Sequence, residues 1–157
     1  MSLRTYEPHK SSLGGTDANI MALLAYLIAI ILNFIPGAHW FAWIVPLIIY
    51  LMEKDSQLVK FHAAQAFVLS AVGAILYIIL DAINAAIWVG SAAFWLSGSW
   101  GAAAAGSIII GLISIVIAII IAIFEILAMI NAHKYSEYNI PFIAGLAEKF
   151  REKVKSI

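Results

Sequence analysis

The sequence predicts an all-α, polytopic membrane protein: four transmembrane helices, a short interfacial helix before the third, and an amphipathic helix at the C-terminus. Three observations predict it. Of 157 residues, 64% are apolar and only 11% charged, whereas an ordinary soluble domain is roughly 45–50% apolar and about 25% charged. Apolar segments, each bounded by proline, glycine or polar residues, fill most of the chain. Most of the charge lies in the N-terminal tail and in two polar islands, Glu53–Phe67 and Ser136–Phe150, and four further charged residues follow the second island. The length fits one domain. Net charge is zero, so the placement of charge is more informative than its total. The absence of cysteine excludes disulfides, thiolate metal sites and cysteine nucleophiles.

Residues 1–17 mix Pro8, Ser11, Ser12, Gly14 and Gly15 with charges and read as a flexible polar tail. The tail lacks the charged-then-apolar layout of a signal peptide. Thr16 or Asp17 is placed to cap the next helix. Residues 18–134 form the expected transmembrane domain. Its first segment, about 18–35, is roughly 27 Å long as a helix, close to the hydrocarbon thickness of about 30 Å, and Pro36-Gly37 ends it. The second, about 39–52, carries Pro46 in its middle. A core helix or a re-entrant piece is compatible with that length, but a kinked short span is favoured, because the first segment can satisfy the backbone groups that Pro46 frees. Leu58, Val59, Phe61 and His62 then alternate with charged residues in an interfacial turn. Segments three, about 63–89, and four, about 105–132, flank a polar-aromatic loop at 90–104. Residues 135–157 read as an interfacial segment. Phe142, Leu146, Phe150 and Val154 recur every four residues, and Lys149, Arg151, Lys153 and Lys155 can meet lipid headgroups.

Four crossings put all nine lysines and arginines on one side. The positive-inside rule makes that side cytoplasmic, with both termini there, as expected for a prokaryotic inner membrane. The five tryptophans, Trp40, Trp43, Trp88, Trp95 and Trp100, gather at the opposite face as an aromatic belt.

Asp81 and Glu125 lie inside apolar segments. A charged group at the bilayer centre costs about 3 kcal/mol or more, so such acids face the bundle or a wet cavity. A stripe of small and polar residues runs through each: Ser70, Tyr77, Asn84 and Ala85 beside Asp81, and Ser107, Ser114, Ala122 and Ala128 beside Glu125. Helices three and four should pack antiparallel along these stripes, with Ser70 near Glu125 and Ser114 near Asp81. One acid per helix at different depths is a poor proton wire. A packing role is therefore favoured over a polar path. His62 and Gln65, one turn apart, are placed to meet Asn131 or His133. A metal site from His62, His133 and Glu125 is disfavoured, because Glu125 lies two turns deeper than His133. No cofactor is expected. There is no phosphate loop, no HExxH and no Ser-His-acid set, so an enzyme is not expected. Nucleic-acid binding would need a denser basic patch. The expected partners are the lipid bilayer and other membrane subunits or further copies of the chain.

The phrase MEKDSQLVKFHAAQAF closes the first hairpin, and YSEYNIPFIAGLAEKF follows the last span. Together they resemble the Tic-like family of small four-helix membrane proteins. The likeness rests on Lys54, Asp55, Ser56, Phe61, His62, Gln65 and Ala66, then on Tyr138, Ile140, Pro141 and Gly145. The resemblance implies four helices, both ends on the cytoplasmic side, and a link to protein translocation. The alternative function, from another class, is a non-catalytic accessory or scaffold subunit of a larger membrane complex.

Overall fold

A computed structural model describes residues 3–35, 37–95 and 101–155. The described residues form five α-helices and one 3-10 turn: α1 (Ala18–Asn33), the turn His39–Phe41, α2 (Ile44–Met52), α3 (Gln57–Trp95), α4 (Gly101–His133) and α5 (Ile143–Lys155). Two of them, over Gln57–Ser91 and Gly101–His133, are long and apolar enough to cross a membrane. α1 and α2 have 16 and 9 residues, about 24 and 14 Å. On length, the structure supports two of the four expected spans.

The other differences from expectation are local. Pro46 is not a mid-segment kink. It is the third residue of α2, within the first turn, where its missing N–H has no intrahelical partner to lose. The interfacial helix expected before helix three is the first turn of α3. Ser56 Oγ accepts the Val59 N–H at 3.2 Å and caps the helix six residues earlier than expected. The 90–104 loop is helical up to Trp95 and again from Gly101. Alanine favours helix there, and the Ser91 hydroxyl folds back onto the Trp88 carbonyl at 2.9 Å. The centre of that connection, Pro36, Trp100 and the Trp95 side chain lie outside the described residues. Neither Thr16 nor Asp17 caps α1 through its side chain; Asp17 pairs instead with Lys10 at 2.7 Å.

Cα packing divides the chain into two units: Met1–Ala74 with Ala122–Ile157, and Ile75–Ile121. The second is a helical hairpin. Asn84 Oδ1 accepts a hydrogen bond from Ser107 Oγ at 2.8 Å. Gly106 faces Ile87 so closely that a Cβ there would lie 3.2 Å from its side chain. Ile75, Ile79, Ile83, Ile108, Leu112, Ile115 and Ile119 all point outward. A soluble hairpin would hide them; lipid is the solvent that accepts them.

The shielded positions of α3 fall at heptad spacing: Ala66, Gly73, Leu80, Ile87, and Ser70, Tyr77, Asn84, Ser91. Those of α4 follow the same spacing through Ser107, Ser114, Ile121 and Ala128. Asp81 falls beside this stripe and is exposed, as are Gly111 and Ala118. This corrects the expectation that Asp81 faces a partner helix: the seam is narrower than the stripe of small residues suggested.

The first unit holds the core. Tyr26, Leu58, Val59, His62, Gln65 and Ile140 are fully buried or nearly so. The N-terminal tail is part of it, not a flexible appendage. Tyr6 N–H donates to the Tyr135 carbonyl at 2.8 Å, and Glu137 N–H donates to the Arg4 carbonyl at 2.8 Å. A polar tail orders here because it meets polar backbone that the helices leave unpaired.

Candidate functional site

Polar residues of the tail and both islands converge in a cap at the start of α3. At its centre is Glu53, which is 1% exposed. Ser11 Oγ donates a short hydrogen bond to its carboxylate. Ser12 adds its N–H and hydroxyl at 3.1 and 2.8 Å, and the Asp55 and Ser56 N–H groups add 3.0 and 2.9 Å bonds. Burial pushes the carboxyl's pKa up, but the donors from Ser11, Ser56 and Ser12 outweigh it and hold the group down at about 2. Glu53 is therefore an ionised knot tying the tail to the α2–α3 junction. His9 adds a second tie. Its Nδ1 lies 2.7 Å from the Glu7 carbonyl, which can only accept, so Nδ1 carries the proton and Nε2 accepts from Ser56 Oγ at 2.8 Å.

His62 and Gln65 staple the second island to α3. His62 Nε2 donates to the Ser136 carbonyl at 3.0 Å, and Nδ1 accepts from the Tyr26 hydroxyl at 3.2 Å. Gln65 donates Nε2–H to the Tyr138 carbonyl at 2.9 Å and accepts the Ile140 N–H at 2.8 Å. The expected partners Asn131 and His133 are displaced by this backbone. A side chain gains more from an otherwise orphaned carbonyl than from an exposed amide. With both His62 nitrogens engaged, the metal arrangement considered from sequence is closed. Among the described residues, no three His, Asp or Glu side chains stand together to hold a metal. Asn19 completes the belt, donating to the His133 carbonyl at 3.1 Å.

α5 packs on this cap. The Phe150 ring lies 4.8 Å from Phe67 and 5.0 Å from Tyr50, and the Arg151 guanidinium sits 5.6 Å above the Phe61 ring. Arg151 is thus an internal contact more than a headgroup cation, while Lys149, Lys153 and Lys155 are exposed. Phe142 is 94% exposed at a φ of 64°. Ile143 and Ala147 are the buried positions of α5, so its inner face is offset from the Phe142–Leu146 stripe expected. A cleft of about 540 Å³ opens between α5, the tail and α3, lined among others by Arg4, Tyr6, Gln57, Glu137, Glu148 and Arg151. Tyr6 donates to Glu137 at 2.8 Å. Burial, that bond and the Glu137 charge push its hydroxyl up to about 12.

The remaining sequence candidates separate. Glu125 is buried. Ser70 Oγ is buried without a hydrogen-bond partner among the described residues, so the expected Ser70–Glu125 bond is not formed. Ser114 Oγ returns to the Ile110 carbonyl of its own helix at 2.9 Å, which removes it as an Asp81 partner. Lys54, Asp55, Pro141 and Gly145 are exposed. A Cβ at Gly145 would meet nothing within 4 Å, so the close packing expected there is absent. Sequence reasoning missed Glu53, Ser11, Ser12 and Tyr26. The one available signal was Ser56 before an apolar helix with an acid three residues upstream.

No solved structure matches this chain. A UPF0132 membrane protein of Methanocaldococcus jannaschii is 28% identical over 142 residues, covering 90% of this chain and 76% of the relative. The Tic-like resemblance is not what the comparisons find. The sequence over residues 17–147, which holds Glu53, His62 and Gln65, matches another family, and the chain belongs to it: the magnetosome magnetite crystal formation protein family, MamF/MmsF.

Proposed function

We propose that the protein is a non-catalytic accessory subunit of a prokaryotic membrane. A helical hairpin anchors the chain in the membrane, and the polar cap, on the cytoplasmic side, is the surface to which other membrane subunits attach. The observation that carries this reading is the use of the buried polar groups. Glu53, His62 and Gln65 each bind chain segments to one another, which is the chemistry of a scaffold. The hydrogen bonds between tail, first island and second island also support one common side for all the lysines and arginines, the cytoplasmic one. The family takes its description from magnetosome magnetite crystal formation. For this chain we extend only a place in a membrane assembly, which needs no iron chelation by the cap. A translocation channel has no observation of its own in its favour.

The test is purification in mild detergent of the full chain and of Arg4→Glu/Arg151→Glu, which reverses the two arginines lining the cleft. The expected result is one reproducible partner set on the parent chain and its loss from the variant, with the helical signal of both unchanged. Transport by the reconstituted protein that disappears in Glu125→Gln would overturn the reading.

A further inference from the structure

The α1–α2 hairpin has a fate that helix counting does not settle. Ala18–Met52 contains no Asp, Glu, Lys or Arg, and its tip is unusually apolar for an exposed turn. Phe34 is 83% exposed, Phe41 60% and Trp40 47%. Gly37 makes the turn at a φ of 81°. The Trp43 indole donates to the Trp40 carbonyl at 2.9 Å, and Asn33 donates to the Ala29 carbonyl at 3.0 Å. The first bond quiets a backbone acceptor at the turn and the second satisfies the Asn33 amide within its own helix, as a lipid environment requires.

Two contacts fix how far this tip reaches. Trp43, at the start of α2, lies 6.1 Å from Phe67. Phe67 is two residues beyond Gln65, which is hydrogen-bonded inside the cap, so it sits about 3 Å along α3 from the cap. The same Phe67 ring meets Phe150 of α5 at 4.8 Å. Around Phe150, α5 carries Glu148, Lys149, Arg151, Glu152 and Lys153. A helix with that many charges stays at the water interface, so the hairpin tip that shares its contact ring lies near the interface as well.

We infer that the α1–α2 hairpin is re-entrant: its aromatic tip enters the cytoplasmic leaflet from one side and returns without crossing. The occupant of the exposed tip is the acyl-chain boundary of that leaflet. This arrangement keeps Lys54 on the same side as the tail, so the one-sided distribution of cations survives with two crossings instead of four. It does not depend on the accessory role proposed above. The tip would be re-entrant in a transporter too.

The chain has no cysteine, which makes the test direct. Single cysteines are placed at Ala38 and, separately, at Phe34, with Gly101→Cys as the marker of the far end of α3–α4 and Lys54→Cys as the cytoplasmic marker. Intact cells are treated with a membrane-impermeant maleimide, before and after permeabilisation. Labelling from outside is expected at Gly101→Cys and lost at Ala38→Cys, Phe34→Cys and Lys54→Cys. Outside labelling at either tip position equal to that at Gly101→Cys overturns the inference. Phe34→Cys reads the same depth if Ala38→Cys fails to insert. Tip depth is checked without any substitution near it by the quenching of tryptophan fluorescence with lipids brominated near the headgroup or near the chain end. Stronger quenching by the chain-end bromolipid also overturns it, once Trp88, Trp95 and Trp100 have been replaced by phenylalanine.

Discussion

A buried carboxylate is costly unless enough donors reach it. Glu53 meets that condition with hydroxyls and amides supplied by Ser11, Ser12, Asp55 and Ser56. Its carboxyl is held at about 2, below the ordinary 4.5. A folded-state pKa below the unfolded one means the ionised form is stabilised by folding. Glu53's contribution is therefore complete above about pH 4.5 and is lost as the pH falls from there towards 2. Glu53→Gln should lower stability by about 2 kcal/mol at neutral pH, because the bonds it weakens are to a charged group. The same substitution should flatten the acid limb of the unfolding profile, read by circular dichroism in detergent across that range. An acid limb as steep in Glu53→Gln as in the parent would show that another carboxylate sets it. His62 makes a contrasting case. His62→Ala removes partners from the Tyr26 hydroxyl and the Ser136 carbonyl at once and opens a cavity. It should cost about 3 kcal/mol, seen as a lowered unfolding midpoint. Substituting Lys54 or Asp55, exposed in the same phrase, should move that midpoint little.

Among elements, those governed by hydrophobic period were legible and those governed by distant backbone were not. The starts of α1 and α5 follow from apolar spacing and turn residues. The α3–α4 seam was only half legible. Ser107 and Asn84 do meet, but the heptad that places them left Asp81 outside, and a stripe drawn on small residues alone could not locate that edge. The partners of His62 and Gln65 were hidden for a different reason. They are carbonyls and an amide 73 to 75 residues away, and a backbone group has no side-chain signature. The tail was misread because Ser, Gly and Pro look the same in a loop that is anchored and one that is not. Glu53, far along the chain, is what anchors it. For α5 the inner face settles what holds the helix. Phe150 bridges Tyr50 and Phe67 and is half-buried, so Phe150→Ala should cost about 2 kcal/mol, below the range for a fully buried phenylalanine. The loss should appear as local release of α5. Protease should cut after Lys149 or Arg151 earlier than in the parent, before any global unfolding. Simultaneous loss of all protected fragments would mean that α5 and the core unfold as one.

At the scale of the molecule, the cap couples chain ends that helix packing would leave separate. Tail residues reach Glu53 and Ser56 on one side and Tyr135–Glu137 on the other, so residues 4–12 act as a strap across both islands. The helices of the hairpin depend on a different force, the transfer of outward-facing isoleucines and leucines into lipid, each worth roughly 1.5–3 kcal/mol. Two forces of different origin predict separable behaviour. Deleting residues 3–12 removes the donors of Ser11 and Ser12 from Glu53 and leaves that carboxylate buried with fewer partners. Desolvation then dominates and its pKa should rise. The strapless chain should remain in the membrane through carbonate extraction, because α3 and α4 keep their apolar surface. Its second island and α5 should become sensitive to added trypsin at concentrations that leave the parent intact, and more so as the pH rises above the new pKa and the unsupported carboxylate ionises. A strapless chain with the parent's protease pattern at every pH would mean that His62 and Gln65 alone hold the cap closed, and that the tail rests on it without contributing to its stability.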